Sequence, residues 1–316
     1  MKKLISVVVP MYFEELVVNE CYARLTSVLD KQEDDYELIF VNDGSKDRTK
    51  ELLMKIAKED KKVKIIDFAR NFGHQTAVTA GIDFARGDAI VIIDADLQDP
   101  PEVIQELVEK WKEGFEVVYA KRKKRKGETF FKLITAKYFY RFLNYMSEID
   151  IPKDTGDFRI IDRKVADVFK QMTEKNRFVR GMISWVGFRQ TFIEYERDER
   201  FAGETKYPFR KMVKFAADGI IAFSTKPLRL VTMIGLVAVL ISFLLLLYAL
   251  IVKIFGYQVE AGWTSIIVAI TFFSGTQLLG LGIVGQYIAR IYDESKNRPI
   301  YIVRETINIG EERTNS

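Results

Sequence analysis

The first 120 residues repeat one pattern, and it leaves few folds open. Short apolar runs, rich in β-branched residues, alternate with segments whose apolar residues recur at helical spacing. The runs are LISVVV (4–9), YELIFV (36–41), VKIIDF (63–68), AIVIID (89–94) and the stretch 115–120. Between them, helices are expected over 15–29, 47–59, 75–85 and 101–112, the last with Pro101 in the first turn, where proline is tolerated. Strands apolar on both faces, separated by amphipathic helices, require a doubly wound α/β fold with a parallel sheet covered on both sides. Ligands of such sheets bind beyond the carboxyl ends of the strands. Polar residues collect there: Tyr12 and Glu14 after the first run, Asn42, Asp43, Gly44 and Ser45 after the second, Asp94 and Asp96 after the fourth.

The fourth run ends in DADLQDPPE. Acids at i and i+2 on an extended strand end point the same way, so Asp94 and Asp96 can face one divalent cation through hard oxygen ligands. Asp99 is assigned the competing role, capping the helix that starts at Pro101. A single cysteine, Cys21, excludes an intramolecular disulfide and a thiolate cluster. A single histidine, His74, excludes a His-rich metal site and reads as a loop or helix-cap residue. Chemistry must rest on carboxylates, basic groups and backbone. Nothing in the sequence points to nucleic acid as a partner. The N-terminal apolar run stops at Pro10 and is followed by Glu14 and Glu15, which does not fit a signal peptide.

The C-terminal third differs. The 23 residues from Leu230 to Val252 carry no charge; as a helix they would extend roughly 34 Å, enough for a bilayer core. A second uncharged run covers 261–289. GLGIVG (280–285) lies inside it, without the strand and helix that a dinucleotide site needs, and reads as small residues for helix packing. Aromatic and basic residues mix over 129–146 and 207–223, as in helices lying in a headgroup layer. The expected organisation is a catalytic domain over 1–206, an interfacial segment over 207–229, two transmembrane helices over 230–289 and a cytoplasmic tail over 290–316.

Five motifs occur in order: VVVPMYFEE, VNDGS, RNFGHQTAVTAG, DADLQDPPE and RFAGETKY. Together they resemble the family-2 glycosyltransferases that act on polyisoprenyl phosphates, a group including dolichol-phosphate mannose synthases and bactoprenol glucosyltransferases. The resemblance covers roughly residues 6–206 and implies the GT-A nucleotide-sugar fold. It further implies nucleotide contacts at Pro10, Tyr12, Glu14, Val41 and Asp43, and donor contacts at Asp94, Ala95 and Asp96. It places a Mg²⁺ or Mn²⁺ ion on Asp94, Asp96 and Gln98, and phosphate contacts at Arg122, Arg200 and Lys206. The Asn that usually precedes the first-loop acid is Phe13 here. In DTGDFRIID, Asp157 falls where a catalytic acid is expected. An ionised lipid phosphate, with a second pKa near ~6, needs little help from a base. Asp157 is therefore read first as an orienting group and second as a base, with Arg159 and Arg180 for the acceptor phosphate.

The resulting expectation is inverting transfer of a sugar, glucose from UDP-glucose by resemblance, to an undecaprenyl-type phosphate. GDP-mannose or an aminoarabinose donor is the alternative. A nucleotide sensor without activity would not need both the acid pair and a basic acceptor side, and a processive polysaccharide synthase would carry a Q-x-x-R-W string. Basic residues flank the uncharged runs on their outer sides, Lys226 and Arg229 before and Arg290, Lys296 and Arg298 after. This implies a multi-pass protein of the inner membrane with catalytic domain and C-terminus in the cytoplasm. The pairs Thr271/Gly275 and Gly285/Ala289 allow helix-mediated self-association into a homo-oligomer.

Overall fold

The computed structural model describes residues 2–123, 155–198, 224–255 and 262–310. Its strands are β1 (Leu4–Met11), β2 (Asp35–Asn42), β3 (Val63–Phe68), β4 (Ala89–Ile92), β5 (Val117–Arg122), β6 (Thr155–Asp162), β7 (Gln190–Tyr195) and β8 (Val303–Ile307). They form one mixed sheet in the order β7-β5-β6-β4-β1-β2-β3-β8. The expected parallel half is present: β1 pairs in parallel with β2 and β4, and β2 with β3. Helices α1 (Val18–Leu29), α2 (Thr49–Glu59), α3 (His74–Phe84) and α4 (Val103–Lys112) alternate with these strands.

Burial on both faces explains the unbroken apolar runs: Val7, Val8 and Val9 are all fully buried, as are Leu38, Ile39 and Phe40. Each large side chain removed from water contributes about 1.5–3 kcal/mol. Glycine sets how close α3 comes to β1. A Cβ at Gly81 would lie 2.0 Å from Val8 Cγ1, so any larger residue would push the helix off the strand.

Two strands depart from the sequence reading. DTGDFRIID forms β6, which inserts antiparallel between β4 and β5, with Arg159 opposite both Ile92 and Tyr119. The stretch 290–316, expected as a tail, instead supplies β8, antiparallel to β3 at the edge of the sheet. After β6 come α5 (Arg163–Gln171), whose N-cap Asp162 accepts from the Lys164 N–H, and α6 (Val179–Trp185). Asp99 does not cap α4; Glu102 occupies the N-cap without a side-chain bond.

The chain divides into two compact units, one holding the sheet with its helices and the other two long helices. These are α7 (Lys226–Ile254, 29 residues) and α8 (Trp263–Ser295, 33 residues). They run antiparallel: Tyr287 Oη donates to the Ser224 carbonyl at 2.6 Å, and Gly280 packs on Val231. A Cβ at Gly280 would lie 3.0 Å from Val231 Cγ1, so this glycine of GLGIVG serves helix packing, while a Cβ at Gly282 or Gly285 would meet nothing within 4 Å among the described residues. Among the described residues no helix is long and apolar enough to cross a membrane. The anchor expected over 230–289 draws no support from that measure, and several side chains of α7, Leu245, Leu246 and Leu250 among them, lie outside the described residues. The interfacial stretch 129–146 lies outside them too, as does 207–223; from Lys226 onward the expected interfacial segment is already α7.

Candidate active site at the carboxyl edge of the sheet

The first loop is built by contacts from the second. Phe13 N–H donates to Ser45 Oγ at 3.1 Å and Glu14 N–H to Thr49 Oγ1 at 3.0 Å. Tyr12 is 38% exposed, with its ring edge-on to Phe13; an exposed aromatic at a strand end suits stacking on a base. Phe13 has a φ of 55°, a left-handed conformation that asparagine tolerates better than phenylalanine. Pro10 and Val41 are buried cross-strand partners, so any nucleotide contact from them is through backbone or strand edge.

Asp43 is buried and accepts from Asn71 Nδ2 at 2.8 Å, Phe72 N–H at 2.6 Å and Gly73 N–H at 2.9 Å. Burial pushes its pKa up, while the Phe72 and Gly73 N–H groups oppose the rise. Asp43 therefore fixes the loop ahead of α3. Gly44 makes room for that loop: its φ is 66°, and a Cβ there would lie 2.4 Å from the Arg70 carbonyl carbon.

The acid loop follows β4. Asp96 Oδ1 accepts from the Gln98 N–H at 3.1 Å, and between them Leu97 adopts a φ of 57° while almost fully buried. That turn folds the acids back beside the strand end. Asp94 Oδ1 is buried without a hydrogen-bond partner. Burial pushes the Asp94 carboxyl up to about 6; His74 pulls it down, and Asp157, Asp99 and Asp96 add to the rise. Burial also raises the Cys21 thiol to about 12, and the charges of Glu14 and Asp96 contribute. The first-loop acid and the acid-loop acid thus act on the same sulfur.

His74, the first residue of α3, joins this loop to β6. Its Nε2 lies 2.9 Å from Asp157 Oδ2 and 3.6 Å from Asp94 Oδ1. Burial works against a charged imidazole, yet Asp94 and the hydrogen bond to Asp157 raise it to about 9. Asp157 also accepts from Arg180 Nε at 2.6 Å and Gln75 Nε2 at 3.2 Å. Burial would raise its pKa; Arg180 and His74 outweigh that and hold it well below the usual carboxylate range. An ionised carboxylate only accepts, so His74 Nε2 carries a proton and donates to Asp157.

On the other side, Arg122 donates through Nε to Tyr195 Oη at 3.2 Å and lies 3.6 Å from Asp99 Oδ1. Arg197 lies 3.4 Å from the same oxygen, and Tyr195 Oη donates to it. Asp99 is thus a buried ion-pair partner of two arginines. Gly156 clears the way, since a Cβ there would lie 2.7 Å from Arg122 Nη2.

Arg159 is placed differently from expectation. It is 3% exposed within β6, its guanidinium donating to the carbonyls of Gly156 and Asp157, and burial lowers its pKa to about 10. A central strand gives that side chain no open path to a phosphate. Arg200 and Lys206 lie outside the described residues.

A strand-end acid loop, an exposed aromatic on the first loop and a buried acid on a central antiparallel strand are what the chain brings together. The Glycosyl transferase family 2 model matches residues 6–169, which contain all three. The chain belongs to glycosyltransferase family 2. It is therefore a glycosyltransferase with a GT-A-like α/β fold. Among its relatives in that family, the "Uncharacterized glycosyltransferase YkcC" of Bacillus subtilis is 59% identical over 98% of this chain and 95% of its own. The "Uncharacterized glycosyltransferase sll0501" of Synechocystis is 48% identical over 95% of each. The "SfII prophage-derived bactoprenol glucosyl transferase" of Shigella flexneri is 43% identical over 96% of this chain and 98% of its own.

Sequence reasoning passed over His74 and gave Asp99 the wrong partner. The signal for His74 lay in chemistry rather than pattern: a lone histidine at a helix start, in a loop at the ligand edge, has carboxylates for neighbours.

Proposed function

We propose that this family-2 glycosyltransferase transfers a glucosyl unit from UDP-glucose to a polyisoprenyl phosphate, with inversion at the anomeric carbon. The single observation carrying this reading is the chain Asp94–His74–Asp157–Arg180 at the carboxyl edge of the sheet. It connects an acid loop suited to a donor diphosphate with a cation on the acceptor side. The match with the Shigella bactoprenol glucosyl transferase over nearly the whole chain supports the acceptor class.

In this reading Tyr12 stacks on the base, Glu14 accepts from base or ribose, and the strand ends at Pro10 and Val41 with the loop at Asp43 shape that pocket. Asp94 Oδ1 accepts no hydrogen bond, faces His74 at 3.6 Å and feels the charges of Asp157, Asp99 and Asp96; a divalent cation would offset that concentration of negative charge. Asp94, Asp96 and Gln98 would hold it. Among the described residues no group of three His, Cys, Asp or Glu side chains surrounds a common metal position; Mg²⁺ commonly takes one or two carboxylates and completes its shell with substrate phosphates and water. When bound, the ion supplies charge stabilisation for the departing nucleotide diphosphate. Ala95 lies between the two acids at the donor. Arg122, with Arg200 and Lys206, offsets phosphate charge. The lipid phosphate oxygen attacks the anomeric carbon as the bond to the nucleotide breaks. Asp157, with both oxygens in charge-assisted hydrogen bonds, is too weak a base to be needed and orients Arg180 toward the acceptor.

The second unit is proposed as a membrane anchor over 230–289, following a catalytic domain over 1–206 and an interfacial segment over 207–229. Leu236, Leu240, Leu244 and Leu247 on α7 and Leu278, Leu281 and Ile288 on α8 are exposed. So much open apolar surface is not tolerated in water. Because β8 pairs with β3, the chain returns after α8 to the unit it left before α7. A two-helix anchor would then keep the site and the C-terminus on one face, as the proposed cytoplasmic placement requires.

Purified protein incubated with polyisoprenyl phosphate and, separately, labelled UDP-glucose, GDP-mannose and a UDP-aminoarabinose tests the reading. Label in the lipid phase from UDP-glucose alone is expected. Transfer from GDP-mannose alone, or to water alone, would overturn the donor or the acceptor respectively.

A further inference from the structure

Asp43 holds the loop 69–73 from inside the sheet, and the segment following α8 holds it from outside. The Ala69 N–H donates to the Ile302 carbonyl at 2.9 Å, and the Ala69 carbonyl accepts from Arg304 Nη2 at 2.7 Å. Both backbone polar groups of Ala69 are therefore taken by the C-terminal strand. One residue earlier, Phe68 stacks on Tyr301 with centroids 5.3 Å apart, and Tyr301 Oη donates to Asp83 Oδ2 of α3 at 2.9 Å. Farther along, Glu305 shares Lys50 with the buried Asp67, which in turn accepts from Asn42 beside Asp43. The strap thus holds Ala69 at the start of the loop that ends at His74 and, through Asp83, the far end of the helix that His74 begins.

Resting on the glycosyl-transfer reading, we infer that Tyr301 and Arg304 are positioning residues for the reaction: they hold the Ala69–Gly73 loop so that His74 meets Asp94 and Asp157. Asp43 alone fixes Asn71, Phe72 and Gly73 to β2. Those bonds leave Ala69, at the other end of the loop, to the strap, so the loop ahead of His74 is held from two directions. Arg304 is exposed and makes its bond to the loop with its far end, so the fold does not depend on it.

The test uses full-length protein in detergent with three variants: Arg304→Ala, Arg304→Lys and Tyr301→Phe. Lys61→Ala is the control, since among the described residues Lys61 bonds to the strap at Asn308, away from Ala69 and α3. Hydrogen exchange at the Phe72 and Gly73 amides is followed alongside kcat and KM for the nucleotide sugar. Arg304→Ala is expected to speed exchange at those two amides while β1 and β2 stay protected, and to lower kcat about tenfold with KM little changed. That lies within the ~10²-fold that ångström-scale misplacement can cost. Arg304→Lys should restore most of both, Tyr301→Phe should fall between, and Lys61→Ala should match the parent protein. Parent-level exchange and turnover in Arg304→Ala would overturn the inference. So would exchange rising equally across the sheet, which would mean plain destabilisation. If the parent protein transfers no sugar, the exchange arm still reports on the loop, and the fault lies with the functional reading.

Discussion

His74 Nε2 sits 2.9 Å from Asp157 and 3.6 Å from Asp94, so one imidazole stands between an acid of the strand-end loop and an acid of a central antiparallel strand. Those carboxylates come from segments with no local relation, and each raises the histidine's affinity for a proton. Replacing His74 with Ala leaves Asp157 paired to Arg180 but removes the link to Asp94. A hydrogen bond to a charged group contributes about 1.5–3 kcal/mol, so transfer should fall about 10- to 10²-fold. Nucleotide binding, measured by calorimetry, should change much less.

Asp96→Asn and Asp157→Asn should separate the two halves of the site. If Asp94 and Asp96 hold a cation against the donor diphosphate, chelation and Asp96→Asn should have the same effect, a fall of at least ~10²-fold in turnover. Asp157→Asn should keep Mn²⁺-dependent donor binding while transfer slows. Parent-rate transfer by Asp96→Asn in the presence of chelator would leave the acid loop with a purely architectural role.

Backbone conformation makes opposite predictions at two neighbouring turns. Phe13 holds a left-handed φ of 55°, which costs a non-glycine residue roughly 1–2 kcal/mol. Phe13→Asn should raise the thermal midpoint, because asparagine adopts that conformation more readily and Phe13 is already 43% exposed. Gly44→Ala should lower it by more than the conformational cost alone. Its Cβ would strike the Arg70 backbone at 2.4 Å, and displaced Arg70 would also unseat the His74 loop.

Acid sensitivity should trace to Glu37. It is buried in β2, accepts from Ser6 Oγ at 2.6 Å and the Arg86 N–H at 2.8 Å, and pairs with Lys64 on β3. Burial would raise its pKa, but Lys64, Ser6 and Arg86 outweigh that and leave it below the ordinary 4.5. A folded-state value below the unfolded one contributes stability in full above about pH 4.5, and that contribution disappears as pH falls through the folded value. Glu37→Gln leaves the partly buried Lys64 without its charged partner, which should cost about 3 kcal/mol at neutral pH, the lower end for breaking a buried pair. The gap between parent and variant in thermal midpoint should narrow below pH 4.5; a constant gap down to pH 3 would contradict this origin.

Topology is open to labelling in whole cells. Cys21 is buried, so it provides a quiet background. A membrane-impermeant thiol reagent should modify Tyr257→Cys, between α7 and α8 in sequence, and leave Thr306→Cys on β8 untouched until the cells are opened. Labelling of Thr306→Cys from outside would overturn the cytoplasmic placement of the sheet.

The parallel half of the sheet was legible because its signals are local. Each strand there is apolar on both faces and each helix carries its own period. The acids after β4 do fall at its carboxyl end, but β4 stops at Ile92 and they lie in the turn before Leu97, not on an extended strand end. The antiparallel half gave no such signal. A strand containing Asp157 and Arg159 does not look central, and it is stable there only through partners distant in sequence: His74, 83 residues earlier, and Arg180, 23 residues later. The same holds for Asp99, which the local pattern makes a helix cap and the fold makes a buried counter-ion for Arg122 and Arg197. Strand β8 reads as a polar tail because only its pairing with β3 hides the backbone it would otherwise expose. Composition and period by themselves determined a doubly wound α/β scaffold with acids beyond the carboxyl ends of its strands, and the nucleotide-sugar reading came from the resemblance of five motifs. Which charges are buried, and therefore which residues meet there, was decided by tertiary structure, because a buried charge is tolerated only where the fold supplies its partner.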